Sequence, residues 1–379
     1  MIAPPLSLYV HIPWCVQKCP YCDFNSHGMK QAIPEQEYVS HLLSDLENDA
    51  LKIGQRQINT IFIGGGTPSL LSESAMTRLL DGIKQRVNLK ADAEITMEAN
   101  PGTLESEKFS GFRRAGVNRI SIGVQSFQAE KLAALGRIHD GKQASAAAGY
   151  ARDAQLPSFN LDLMHGLPNQ SIEDALNDIK KAISQHPPHL SWYQLTIEPN
   201  TQFHSKPPTL PDDDILWDIQ EQGQILLEQA GYRQYEISAY SLEGHQCQHN
   251  LNYWRFGDYL GIGCGAHGKI SDVATGKIIR TEKVKHPRGY MDLSKDYLLK
   301  QWQVEEDDLP FEFFMNRLRL LEPCPKDDYA KLTGLPLGSE ILANLQRAID
   351  KGLLSDEPNH WQLTALGKRY LNSLLETLV

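Results

Sequence analysis

A chain of 379 residues can bury a full apolar core, and with 37 basic against 47 acidic side chains it carries a formal net charge of −10. That balance excludes a basic nucleic-acid-binding body, and six cysteines in this length are too few for a disulfide scaffold. The opening MIAPPLSLYV has no basic n-region or cleavage site and no apolar stretch is long enough to span a bilayer, so a soluble, cytoplasmic protein without a membrane anchor is expected.

The first predicted strand is LSLYVHI, and Cys15, Cys19 and Cys22 follow it in HIPWCVQKCPYCDFNSH. The C-x3-C-x2-C spacing suits a loop wrapped around a cubane iron–sulfur cluster, with three irons ligated and the fourth open to a small molecule. Tyr21 and Phe24 would shield such a cluster from water. A structural zinc site is the competing reading, with His27 or His11 as fourth ligand, although closed zinc sites usually come as paired knuckles.

Further along, INTIFI, AEITMEA, VNRISIG, SFNLDLM and HLSWYQL read as strands, and helical patterns such as YVSHLLSDLENDALK, AMTRLLDGIKQRV and IEDALNDIKKAIS fall between them. The alternation predicts α/β architecture: a partial (β/α)6 TIM-like barrel with a parallel sheet. Polar or glycine-rich features recur at the strand ends, with Gly64–Gly65–Gly66–Thr67–Pro68 after the second, Glu98 on the third, Gln125 on the fourth and Asp162 on the fifth. In parallel barrels those ends share one mouth, so these features are expected to face one site. Glycines there allow close backbone approach to a ligand, or simply a tight turn; Glu98 and Asp162 suit an amine or ribose hydroxyls, or an N-cap or a buried arginine. Arg137 in LGRIH suits bidentate pairing with a carboxylate.

Residues 1–240 are therefore expected to form the core barrel and residues 241–309, with HNLNYW and CGAHG, a segment that completes its mouth. Residues 310–379, with the hairpin-like GLLSDEPNHWQLT and the terminal helix GKRYLNSLLETL, predict a small, mainly helical winged-helix-like domain, given a packing or lid role by the overall acidity. His249, ahead of aromatic side chains, offers an axial iron ligand beside flat apolar surface, or a satisfied histidine in an aromatic loop. His267, Cys247 and Cys264 rank below it, and Cys324 reads as a core or loop residue.

Taken together, C-x3-C-x2-C, GGGTP, MEANP, GVQSF and LGRIH resemble the radical S-adenosylmethionine (SAM) superfamily, in its coproporphyrinogen dehydrogenase-like branch, over most of the chain. The resemblance implies a [4Fe–4S] cluster on Cys15, Cys19 and Cys22, whose open iron chelates S-adenosylmethionine and whose electron cleaves the sulfonium to a 5′-deoxyadenosyl radical. It maps cofactor contacts onto Tyr9, Gly65, Gly66, Thr67, Glu98, Gln125, Arg137 and Asp162, with Tyr21 near the adenosine or a second ligand. Two departures count against oxidative decarboxylation of coproporphyrinogen III: Phe24 stands where the dehydrogenases carry a fourth cysteine, and the first strand begins by Leu6, without their N-terminal extension. H-N-x-x-Y-W is similar to the signature of the haem chaperone group of this branch. That likeness implies haem as cargo, His249 as a haem-binding residue and haem-acceptor proteins such as respiratory membrane enzymes as partners; a cluster-dependent homodimer is compatible with it.

Overall fold

The computed structural model describes residues 1–102, 108–292, 294 and 296–378. Six parallel strands run in chain order: β1 (Leu6–Ile12), β2 (Gln57–Gly65), β3 (Asn88–Ala99), β4 (Arg119–Gln125), β5 (Ser158–His165) and β6 (His189–Gln194). The helices between them include α1 (Glu35–Ile53), α2 (Glu73–Arg86), α3 (Gly141–Asp153) and α4 (Ile172–Ile183). Their starts are local: Ser72 caps α2 by accepting from the Ala75 N–H, and Asp140 and Ser171 each close a reciprocal capping box.

Strand alternation sorts the side chains onto two faces. Leu8, Val10, Ile61, Ile63, Met97, Ile120, Ile122 and Leu161 lie under the helices in one large apolar cluster. The opposite face is polar, because the intervening positions include Ser7, Thr60, Ser121, Asn160, Asp162 and His189, which hydrogen-bond along it.

After β6 come α5 (Asp213–Gln229) and the short antiparallel strands β7 (Arg233–Glu236) and β8 (Ala239–Ser241). Next come α6 (Gln248–Trp254) and β9 (Asp258–Ile262), which pairs parallel with the free side of β1. Strands β10 (His267–Asp272), β11 (Lys277–Lys283) and β12 (Leu298–Gln303) then extend the sheet antiparallel. The result is a twelve-stranded sheet edged by β12 and β7, with no closing strand pair among the described residues. The middle segment thus widens the sheet.

Toward the C-terminus, the predicted wing is an antiparallel pair, Leu354–Asp356 with His360–Leu363, and Cys324–Pro325 adds a third strand. The last predicted helix is two short ones, Ala365–Arg369 and Leu371–Glu376. A second apolar cluster here contains Phe313, Phe314, Leu345, Trp361 and Leu374, and also reaches back to Phe256, Ile278 and Val304.

Candidate functional site

The cysteine loop is closed at its base by two short parallel strands, Trp14–Cys15 and His27–Gly28, with the Met29 N–H donating to the Cys15 carbonyl at 2.9 Å. The glycine run docks beside it: the Gly66 N–H donates to the Ile12 carbonyl and the Thr67 N–H to the Trp14 carbonyl, both at 2.7 Å. A Cβ on Gly66 would sit 2.5 Å from the Trp14 carbonyl oxygen. At Gly65 the backbone has φ +111° and a Cβ would sit 2.5 Å from the His11 ring. Glycine is required at both positions for the two backbones to meet.

Cys15, Cys19 and Cys22 are free thiols, partly buried, that line one cavity of about 520 Å³ at the C-terminal ends of the strands. Burial pushes the Cys15 and Cys22 thiols above their ordinary range. Arg137 donates from Nη1 to the Cys19 sulfur at 3.6 Å, and from Nη2 to Asn100 Oδ1 and the Gly123 carbonyl at 2.7 and 2.8 Å. Its buried Nε has no partner.

The same cavity receives Tyr21, Gly65, Gly66, Thr67, Glu98, Gln125, Arg137 and Asp162, so the expected convergence is present. Glu98 accepts the Gly65 N–H at 3.0 Å; burial and the neighbouring Asp162 raise its pKa to about 7. Asp162 accepts from Ser121, Asn160 and Tyr193 at 3.0, 2.7 and 2.7 Å. Gln125 occupies the left-handed region, φ 65°, after a register break in β4, which turns its side chain toward Gly123 and Arg137. Tyr21 packs against Phe203 on one wall.

Tyr9 and His249 lie outside the cavity lining. Tyr9 is one layer below, donating to His11 Nδ1 at 3.0 Å while His11 Nε2 donates to the Asn25 carbonyl at 2.8 Å. His11, pushed down to about 4 chiefly by burial, is thereby a neutral loop support with both nitrogens engaged, not a zinc ligand. His249 is 8% exposed on α6, under the Phe62 ring, and its pKa is lowered to about 3 by burial and by Arg119.

A hydrogen-bonded chain links Asn252 Nδ2, Ser7 Oγ (2.8 Å), Thr60 Oγ1 (2.7 Å) and His249 Nδ1 (3.0 Å). Asn252 donates to Ser7, while the two hydroxyls can each donate or accept, so the sense of the last bond follows the His249 tautomer. His249 is thus engaged through Nδ1 and stands away from the cysteine cavity. Cys247 faces Glu94 at 3.6 Å, Cys264 donates to the Lys285 carbonyl at 2.7 Å, and Cys324 belongs to the second apolar cluster; each is buried with its thiol pushed up to about 12. His267 is exposed, 3.9 Å from Glu282.

Three thiols beside an arginine, on a cavity whose floor excludes any Cβ, fit a thiolate-bound cluster with a ligand against it. Among the described residues no three His, Cys, Asp or Glu side chains are grouped as one metal ion needs. Sequence reasoning missed Asn100, which donates to Thr67 Oγ1 at 3.3 Å and accepts from Arg137, although it stands in the MEANP run. It also missed Ser121 and Tyr193, whose role depends on facing Asp162 from neighbouring strands.

A sequence model of the Radical SAM superfamily matches residues 9–182, and one of the HemN C-terminal domain matches residues 304–370. The chain is 62% identical to heme chaperone HemW of Escherichia coli (strain K12) over 98% of both chains. The chain belongs to the HemW family. It is 56% identical to HemW of Haemophilus influenzae, over 98% of this chain and 97% of that one, and 35% identical to HemW of Bacillus subtilis over 96% of both. The solved coproporphyrinogen III oxidase (HemN) of Escherichia coli, a radical SAM enzyme, superposes with a TM-score of 0.84 at 24% identity, over 99% of this chain and 90% of that one; this likeness establishes the fold. Among the described residues no helix is long and apolar enough to cross a membrane.

Proposed function

We propose that this protein is a haem chaperone, which binds haem and passes it to acceptor proteins, on a scaffold holding a [4Fe–4S] cluster and S-adenosylmethionine. The observation that carries the reading is 62% identity along 98% of the chain to a protein named heme chaperone HemW. Cys15, Cys19 and Cys22 would hold the cluster, which when bound supplies an open iron and a one-electron couple.

This chain's own residues do the positioning. Glu98, ionised by a cationic partner, would accept from the ligand's amine, while Arg137 and Asn100 present donors to its carboxylate. Gly65 and Gly66 let that ligand lie on bare backbone, and Asp162, fixed by Ser121 and Tyr193, would take ribose hydroxyls. Tyr21 covers the cavity from water, and Tyr9 supports it from below through His11. Phe24, 58% exposed where a dehydrogenase has a cysteine, supports a carrier over the decarboxylase. Action in the cytoplasm, delivery to respiratory membrane enzymes and cluster-dependent pairing of two copies complete the reading.

The test is an anaerobic haem titration of the cluster-loaded chain, followed at the Soret band, with transfer to an apo-acceptor. Saturable binding and transfer are expected. Unsaturable uptake, or conversion of coproporphyrinogen to a vinyl-bearing product, would overturn the proposal.

A further inference from the structure

A carrier that surrenders its cargo needs an iron ligand that an acceptor can reach, and His249 on α6 is only 8% exposed, packed against Phe62. Imidazole lone pairs are found elsewhere, on the outer side of the cysteine loop. There His27, partly exposed at the loop's base, stands against exposed His286 with ring centroids 5.4 Å apart and planes at 69°.

Hydrogen bonding fixes the tautomers. His27 Nε2 lies 3.4 Å from the Lys285 carbonyl, which can only accept, so Nε2 carries the proton and Nδ1 is a free lone pair. His286 Nδ1 accepts the Arg288 N–H at 3.2 Å, so its Nε2–H is free to donate. Burial, with His286 and Lys18 opposing a second positive charge, lowers the His27 pKa and keeps the ring neutral, the form that ligates iron.

The surroundings favour haem over a bare ion. A protein-bound transition ion needs three or four side-chain ligands, and no such group of three exists among the described residues. Haem iron arrives with four ring nitrogens and takes one protein ligand to be held. Two features match the rest of the molecule. Phe24, on the rim of the cysteine cavity, and Val16 on the same loop are 58% and 44% exposed and offer apolar surface to the macrocycle, and Lys18, Arg288 and Lys285, the last paired with Glu282 at 2.6 Å, put exposed cations on the two loops in a chain of net charge −10.

We propose that His27 is the iron ligand of a surface haem site formed by the cysteine loop and the 284–288 loop, with His286, Lys285 and Arg288 receiving the propionates. This inference rests on the haem chaperone reading and gives it a location, beside the cluster and across the rim that Lys18 and Phe24 share with the S-adenosylmethionine cavity. The bond formed is a dative one from His27 Nδ1 to iron, and an acceptor's own ligand replaces it on transfer.

The test is a haem titration of cluster-loaded full-length protein and of His27→Ala, His286→Ala, His249→Ala and His27→Tyr, with iron content and far-ultraviolet circular dichroism as folding controls. His27→Ala should weaken haem binding by about tenfold or more and shift the Soret band, and added imidazole should restore the wild-type band. His27→Tyr should give a tyrosinate-type haem spectrum, which appears only if position 27 touches iron. His286→Ala should weaken binding less, with the Soret position kept, and His249→Ala should leave the band unchanged. Wild-type affinity and spectrum in both His27 variants would overturn this site while leaving the chaperone reading intact. Absence of saturable binding by the wild type would instead sink that reading.

Discussion

The two ends of the sheet's polar face use the same kinds of side chain and differ in what those side chains surround, a packed network at one and an open cavity at the other. At the N-terminal end, Asn252, Ser7, Thr60 and His249 form a hydrogen-bonded chain, and the His249 and Gln248 backbone N–H groups are taken by Glu94. His189 likewise bonds Asn160 and Tyr235, at 2.7 and 2.8 Å. At the C-terminal end, the thiols, Glu98 and Arg137 line an open cavity, and Arg137 Nε lacks any partner. Side chains that bond one another in a packed network fix a structure; those that line an open cavity are placed to take a ligand. Residue type alone does not distinguish them, as His249 demonstrates.

The sharpest way to break that contrast is at the open end. Cys19→Ser is expected to abolish the cluster's visible charge-transfer absorption with only a small change in the apo-protein's melting temperature; full absorbance and iron would remove Cys19 from the ligand set. Gly66→Val pushes a Cβ into the Trp14 carbonyl and should cost about 1–3 kcal/mol of stability, together with a large loss of S-adenosylmethionine affinity by calorimetry. Unchanged affinity would move the ligand elsewhere.

Glu98 sharpens the comparison through pH. Its folded-state pKa, about 7, lies above the ordinary 4.5, so the folded chain holds this proton more tightly than the unfolded one. The resulting destabilisation is absent below pH 4.5, grows as pH rises toward 7 and is complete above it. Glu98→Gln should therefore gain on the wild type in ligand-free denaturation as pH rises through that window. Binding of the ammonium-bearing ligand should release a proton below pH 7 in the wild type alone, detectable by calorimetry in two buffers of different ionisation heat. Equal proton release in the variant would assign the titration to another group. The smallest effect is expected at the packed end, where Thr60→Val removes the hydroxyl that hydrogen-bonds His249 and should cost about 1–2 kcal/mol in denaturant unfolding with no change in S-adenosylmethionine affinity. A loss of affinity there would join the two ends.

Much of this was legible in the chain. LSLYVHI and IEDALNDIKKAI are found as a strand and a helix within a residue of expectation, since alternation and capping are local properties. The collection of cysteines, glycines and carboxylates at one mouth followed from strand order alone. The β9–β12 extension did not, because β9 pairs with a strand about 250 residues earlier and local pattern carries no record of its neighbour. Tyr193 was unreadable for a similar reason, as its partner Asp162 lies across a strand pair.

The sequence by itself determined the secondary elements, the cysteine loop, the glycines that let two backbones touch and the family to which the chain belongs. Tertiary structure decided which polar groups are free. Asn252, Ser7, Thr60 and His249 become one network only after three separate segments pack, and His27 meets His286 across 259 residues of sequence, from 27 to 286. A side chain's chemistry is written in its residue type, but its availability depends on partners that only the folded chain supplies.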